Sequence, residues 1–210
     1  MKLVFLDRDG VINKFPGNGN YVTRAKDFHF IPGSLEAIQR LTQAGYKIVV
    51  ISNQAGIEKG VYSQNKLSQI TIKMFREVER AGGKIDRVYY AIARGGQHCD
   101  YRKPGIGFIR EALRSMNKNL RSAGKTYFVG DTETDILAGH NAGCKTIFVL
   151  SGREDRRYMR KWKVHPDTIT KDLLEAVKVI LDGNGKPAPR KKTSRPLLTA
   201  RKPVKFAKRK

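Results

Sequence analysis

A short apolar run that stops abruptly at two carboxylates constrains this chain more than any other feature. Leu3-Val4-Phe5-Leu6 leads directly into Asp7-Arg8-Asp9-Gly10. A continuous apolar run of this length predicts a strand buried on both faces, as in parallel sheets covered by helices. Asp7 and Asp9 then sit just past its carboxyl end, where open α/β sheets place their ligands. Gly10 allows the chain to turn sharply there. Residues i and i+2 of an extended segment point the same way, so both carboxylates can face one site. Two anions roughly 4 Å apart repel by about 4 kcal/mol at an effective dielectric near 20. The pair therefore needs a cation or a shared proton. Solvated aspartates in a strand-end turn would satisfy the same letters, so the rest of the chain has to decide.

That rest alternates. Residues 14–27, with Pro16, Gly17 and Gly19, form a loop or short flap over the site. Ser34 is placed as a helix N-cap, and Leu35, Ile38, Leu41 and Ala44 supply an apolar stripe that Gly45 closes. A strand over 47–52 follows, then a helix over 64–81 with Leu67, Ile70, Met74 and Val78 on one face. Strands are expected over 88–93, 126–129 and 145–149, and helices over 107–116, 132–142 and 171–181. Strands alternating with helices predict an α/β fold: a Rossmann-like three-layer sandwich with a central parallel sheet and a minimal cap, the flap loop. One domain spans residues 1–182; residues 183–210, dominated by Gly, Pro, Lys and Arg, are expected to be a disordered basic tail.

The charge is unusual for an enzyme of small molecules. The chain of 210 residues carries a formal +23, of which the 11 Lys/Arg and no Asp/Glu of residues 186–210 supply +11. The other residues hold 31 basic and 19 acidic side chains, so the excess is general. No apolar run approaches the ~20 residues of a membrane helix, and Leu197, Leu198 and Phe206 are too sparse for an amphipathic anchor. The amino terminus enters a strand at once, without the pattern of a secretion signal. Cys99 and Cys144 make no disulfide framework, so a reducing cytoplasm is the expected compartment. Oligomeric state is not legible.

Three further stretches fall at carboxyl ends of predicted strands: Ser52-Asn53-Gln54, Arg102-Lys103-Pro104, and Gly130-Asp131-Thr132-Glu133-Thr134-Asp135. Asp7, Asp9 and Asp131 would make a hard oxygen site suited to Mg²⁺. Lys103 and the Ser52 hydroxyl are donors for phosphoryl oxygens. A carboxylate can attack phosphorus covalently, and a second can carry the proton. The set is that of a phosphoryl-transfer site.

The order DxDG, Ser-Asn, Lys-Pro, GDxxxD resembles the haloacid dehalogenase (HAD) superfamily of aspartate-nucleophile phosphatases. FLDRDGVIN, ISNQAGIEKG and DYRKPGIGFI further resemble the branch of D,D-heptose 1,7-bisphosphate phosphatases and histidinol-phosphatases. The resemblance covers about residues 2–182. It implies a Mg²⁺-dependent phosphomonoester hydrolase with Asp7 as nucleophile and metal ligand. Asp9 would be the general acid/base and reach the metal through its backbone carbonyl. Ser52 and Lys103 would hold the phosphoryl group, Asp131 would complete the metal site, and Asp135 would orient Lys103 or the metal's waters. Asn18, Gly19, Asn20, Tyr21, Asn53, Gln54 and Arg102 are the implied substrate contacts. The substrate expected from this is a small phosphorylated metabolite such as D-glycero-D-manno-heptose 1,7-bisphosphate, with histidinol phosphate as an alternative.

One departure stands out. That branch carries a structural zinc held by Cys-x-His and Cys-x-Cys before Arg-Lys-Pro. Here the matching stretches are Ala91-Ile92-Ala93-Arg94 and Cys99-Asp100-Tyr101, so a four-ligand zinc site is not expected, and neighbouring His98 does not restore one. Asp135 can alternatively cap a helix. His29, His140 and His165 fit surface or packing roles, and Cys144 fits a small core position. Trp162, within the basic stretch 156–163, packs onto the domain or stacks on a base. Residues 186–210 are either a solvated extension or a nonspecific nucleic-acid-binding segment. The latter keeps open a phosphatase of nucleotides or nucleic-acid ends.

Overall fold

The computed structural model describes residues 2–92, 100–120 and 126–183. Expectations that concern Ala93, Arg94, His98, Cys99 and the tail beyond Gly183 lie outside those residues. A six-stranded parallel sheet forms the middle layer, built from β1 (Lys2–Leu6), β2 (Tyr46–Asn53), β3 (Arg87–Ala91), β4 (Thr126–Gly130), β5 (Lys145–Val149) and β6 (Thr168–Thr170). Its order is 3-2-1-4-5-6. The connection reverses direction between β1 and β4, and that switch point opens a crevice at their carboxyl ends.

Alternation along each central strand feeds two cores. Val4, Leu6, Ile48, Val50 and Val129 face one side; Leu3, Phe5, Val49, Ile51 and Phe128 face the other. Helices α1 (Ser34–Gln43), α2 (Gln64–Arg80) and α5 (Leu173–Asp182) cover the first face, and α3 (Gly107–Arg114) and α4 (Glu133–Ala142) the second. The α2 stripe is Leu67, Ile70, Met74 and Val78, as its spacing predicts. Cys144 is a buried core residue whose sulfur accepts from Thr126 Oγ1 at 3.1 Å. No helix among the described residues is long and apolar enough to cross a membrane.

Local details differ from expectation. Ser34 is not the N-cap of α1; Gly33 is, in a left-handed turn at φ 84°, and Ser34 is buried inside the first turn. The buried face of α1 is Ser34, Ala37, Ile38 and Leu41, so the stripe is rotated and Leu35 and Ala44 lie at its margin. The sheet has a sixth strand, Thr168–Thr170, which pairs with β5 through Phe148↔Ile169. Three residues at a sheet edge are too few to show a period of two. The loop before it contains a 3₁₀ turn, Tyr158–Lys161, anchored by Trp162 against Phe148 at 4.8 Å between ring centroids.

Gly139 tests the packing of α4 on the sheet. Replacing glycine by alanine inside a helix normally gains about 1 kcal/mol. A Cβ there would lie 2.7 Å from Thr146 Cγ2 and 2.8 Å from Phe128 Cβ. Overpacking outweighs propensity, so Gly139→Ala is expected to lose about 1–3 kcal/mol. Urea unfolding should show a lower midpoint at unchanged slope.

Candidate active site

Asp7 directly follows β1, and its amide continues the ladder by donating to Val129 O of β4 at 3.0 Å. Asp131 follows β4. The two carboxylates therefore flank the switch point. Close approach is possible because of glycine: a Cβ on Gly10 (φ 88°) would fall 2.2 Å from Asp131 Oδ2, and one on Gly152 2.1 Å from it. Arg153 N donates to that same oxygen at 2.7 Å. Asp131 Oδ1 is buried without a hydrogen-bond partner.

Lys103 sits at the centre. Its buried ammonium lies 2.6 Å from Asp7 Oδ1, 2.6 Å from Asp135 Oδ1 and 2.8 Å from Ile51 O. Asp7 Oδ1 and Ile51 O accept hydrogen bonds from it, while Asp135 Oδ1 pairs with it by charge alone, so one of its three donors stays open to a ligand oxygen. Asn53 aims the lysine by gripping its main chain: Asn53 Nδ2 donates to Lys103 O at 3.1 Å and Lys103 N donates to Asn53 Oδ1 at 3.1 Å. Asp135 also serves the helix start, taking Thr132 N at 3.1 Å and Thr132 Oγ1 at 2.6 Å on Oδ2. Both readings of Asp135, orienting Lys103 and capping α4, describe the same side chain.

Asp9 points elsewhere. Its Oδ1 accepts from Arg8 Nη2 (3.0 Å) and Asn13 Nδ2 (2.9 Å). Its Oδ2 accepts from Arg8 Nη2 (2.9 Å) and Gln54 Nε2 (2.8 Å). With both oxygens occupied by donors, Asp9 takes up a proton only by releasing one of them. Gln54 Nε2 also donates to Ser52 Oγ at 3.0 Å, and Gln54 Oε1 accepts from the buried Tyr62 hydroxyl. That last bond fixes the amide with its nitrogen toward Asp9.

The flap arrives from the side. Asn18 Oδ1 accepts from Arg153 Nε at 3.2 Å, tying it to the loop after Asp131. Gly19 and Asn20 are exposed. Tyr21 lies 6.0 Å from Tyr62 between ring centroids, and its hydroxyl accepts from Lys59 Nζ at 3.0 Å. Arg102 is half-buried with Nη1 unpartnered. Of the expected substrate contacts, Asn53, Gln54, Asn18 and Tyr21 have internal partners, Gly19 and Asn20 are exposed, and Arg102 Nη1 has no partner among the described residues. Arg8, Asn13, Tyr62 and Arg153 are contributors that sequence reasoning missed. His29, His140 and His165 are exposed.

Electrostatics favour a cation. Burial pushes the Asp7 carboxyl up; Lys103 pulls it back, Asp135 and Asp9 add to the rise, and the result is about 6. Asp131 is raised well above its ordinary range, by burial first and then by Asp7 and Asp135. Burial alone would lower Lys103, but Asp135 and Asp7 outweigh it and hold the ammonium above its usual value. With Asp9 neutralised by Arg8, the carboxylates of Asp7, Asp131 and Asp135 face one ammonium. Oxygens of the three lie within 4.8 Å of one another. Two excess negative charges and a buried, unpartnered Asp131 oxygen fit a hard divalent cation.

Comparison with known proteins agrees. Residues 100–176 match the HAD-hydrolase-like family model. The chain is 32% identical over 189 residues to the D-glycero-β-D-manno-heptose-1,7-bisphosphate 7-phosphatase of Neisseria meningitidis serogroup A, covering 89% of this chain and 98% of that one. It is 36% identical over 159 residues to the enzyme of that name from Pasteurella multocida, covering 72% and 83%. The D,D-heptose 1,7-bisphosphate phosphatase from B. bronchiseptica, solved with magnesium and phosphate, superposes with TM-score 0.79 at 33% identity, over 87% of this chain and 99% of that one. The chain belongs to the haloacid dehalogenase superfamily. Within it, the chain is a phosphatase, a phosphoric monoester hydrolase similar to the heptose-bisphosphate enzymes.

Two predictions follow from this geometry. Burial pushes the Tyr62 hydroxyl up to about 12, so it remains a donor at working pH. Tyr62→Phe frees the Gln54 amide to turn its oxygen on Asp9. One lost hydrogen bond of about 1 kcal/mol corresponds to roughly a five- to tenfold lower kcat, with KM within about twofold. Steady-state kinetics on a small phosphate ester check it. The second concerns metal. A carboxyl raised on folding stabilises the fold fully below its ordinary pKa of 3.8, and that contribution is lost as pH rises through about 6. A divalent cation compensates for the charges exposed above that range. Millimolar Mg²⁺ should therefore raise Tm more at pH 8 than at pH 5 in thermal melts of metal-stripped protein.

Proposed function

We propose that this phosphatase removes one phosphate from a sugar bisphosphate, D-glycero-D-manno-heptose 1,7-bisphosphate, with Mg²⁺ at Asp7 and Asp131. The observation that carries the chemistry is the buried Asp7–Lys103–Asp135 array at the sheet's switch point. The relatives' names support the substrate, and the magnesium and phosphate of the Bordetella structure support the metal.

In this reading Asp7 attacks phosphorus through its carboxylate. The sugar oxygen departs with a proton from Asp9, leaving an aspartyl-phosphate. Water then attacks that phosphorus and gives its proton to Asp9, which releases inorganic phosphate and restores Asp7. Lys103 and the Ser52 hydroxyl hold the non-bridging oxygens, and Lys103 keeps Asp7 oriented while doing so. Asp135 holds Lys103 in place. When bound at Asp7, Asp131 and the Asp9 carbonyl, the metal ion supplies charge neutralisation at the phosphoryl group. Asp9 must leave part of its Arg8–Asn13–Gln54 cradle to carry the proton, so the resting geometry is a braked one. The phosphate that is not transferred meets Arg102, whose Nη1 has no internal partner, and Arg153 beside the flap.

Asp7→Asn should abolish turnover while circular dichroism remains that of the parent; retained hydrolysis would sink the covalent route. A Mg²⁺-supplemented screen of heptose 1,7-bisphosphate, histidinol phosphate and nucleotides should rank the heptose substrate first in kcat/KM, by at least about tenfold. A higher value for any other compound would displace the substrate assignment.

A further inference from the structure

The loop between β5 and β6 contains a feature that hydrolysis of a sugar phosphate does not use. Residues 153–163 hold six Lys/Arg and two Asp/Glu, a net of +4. The segment is built onto the metal-site loop at both ends. At its start Arg153 N and Glu154 N donate to Asp131 Oδ2 and Asp131 O, at 2.7 and 3.3 Å, and Glu154 Oε2 accepts from Glu133 N at 2.9 Å. At its end Lys163 N donates to Glu133 Oε1 at 2.8 Å. The lobe thus leaves and returns to the first turn after Asp131.

Its middle is the 3₁₀ turn Tyr158–Lys161, where residues three apart share a side. Met159 and Trp162 take the inner side, packing on Phe148, Ile136 and Ile169. The outer sides then carry Arg157 with Arg160 and Tyr158 with Lys161. With a rise of about 2 Å per residue, the members of each pair are about 6 Å apart along the axis. Asp155 pairs with Arg157, and Glu154 is turned inward onto Glu133. Arg156, Arg160, Lys161 and Lys163 are exposed and form no ion pair among the described residues. Tyr158 is 51% exposed between them.

We infer that this shelf binds single-stranded nucleic acid across the mouth of the active site. A cluster of exposed, unpaired cations beside an open aromatic ring fits a strand that offers both phosphates and base faces. A sugar bisphosphate would engage Arg102 and Arg153 and leave the outer cluster unmatched. The shelf is independent of which small substrate the site hydrolyses.

The test uses the full chain and a fluorescein-labelled oligonucleotide of about 20 residues without a terminal phosphate. Anisotropy titrations between about 50 and 200 mM salt should show binding that weakens steeply with salt. In Arg156→Glu/Arg160→Glu/Lys161→Glu, affinity at low salt should fall at least about tenfold. Its log–log salt slope should become shallower by about 2, the share of three phosphates on a single strand. The oligonucleotide should also inhibit hydrolysis of p-nitrophenyl phosphate by the parent and not by the triple variant, whose own rate on that ester should be unchanged. Tyr158→Ala, which leaves every charge in place, should weaken binding several-fold at unchanged salt slope. Absence of binding by the parent overturns the inference. So do equal affinity and slope in parent and triple variant, which would assign binding to residues 186–210, and equal inhibition of both proteins. If no phosphate ester is hydrolysed, the anisotropy arms still decide.

Discussion

The buried ammonium of Lys103 is the interaction on which the site depends. It arrives on a loop far from β1 in sequence, yet joins Asp7, Asp135 and the end of β2 at one point. A lone charge at that depth would cost several kcal/mol, and so would either carboxylate. Together with the Ile51 carbonyl they satisfy one another. The arrangement still leaves more negative charge than positive, which is why Asp7 and Asp131 are driven upward. A site in that condition is poised to take a cation and an electrophilic phosphorus, since both relieve the excess.

The two carboxylates of the opening motif are separated by environment. Asp7 looks into the crevice toward Lys103, and Asp9 looks back into a cradle of donors from Arg8, Asn13 and Gln54. Arg8 is itself fully buried, with Tyr90 5.6 Å from its guanidinium carbon, and burial is outweighed by Asp9 in keeping it charged. One carboxylate thus faces the crevice while its neighbour is gripped by donors on both oxygens. On the proposed mechanism Asp9 must leave part of that cradle during turnover, and the residues that grip it would set how readily.

The architecture was legible where a pattern had room to repeat. The four-residue stripe of α2 and the unbroken run of β1 each bury the side chains that their spacing implied. Three-residue β6 and the 3₁₀ turn had no such room. For the site, Asp7, Lys103 and Asp131 were readable because each stands at a strand's carboxyl end, where topology alone brings them together. Arg8 was not, since residues on either side of an extended position are expected to face away, and the guanidinium instead folds back onto its neighbour. Asn53 and Gln54 were read as substrate contacts from the family resemblance. Position could not show that Asn53 holds the Lys103 backbone or that Tyr62 fixes the Gln54 amide.

Rigid and adaptable parts of the molecule are divided along the same line. Lys103, the partner of Asp7, is buried and held by Asn53 through its main chain, and Gly10 and Gly152 leave Asp131 no lateral space. What surrounds the entrance is built from exposed loops: the flap at Asn18–Tyr21, Arg102, and the cationic lobe after β5. In the proposed mechanism chemistry at phosphorus constrains the first set closely, whereas recognition of the group that carries the phosphate would fall to the second. Arg153 joins them, holding Asp131 through its backbone and the flap through its side chain. In the proposed site a ligand that displaces Asn18 from Arg153 would act on a residue whose main chain holds Asp131 Oδ2, so the identity of the bound molecule would reach the reacting centre through one arginine.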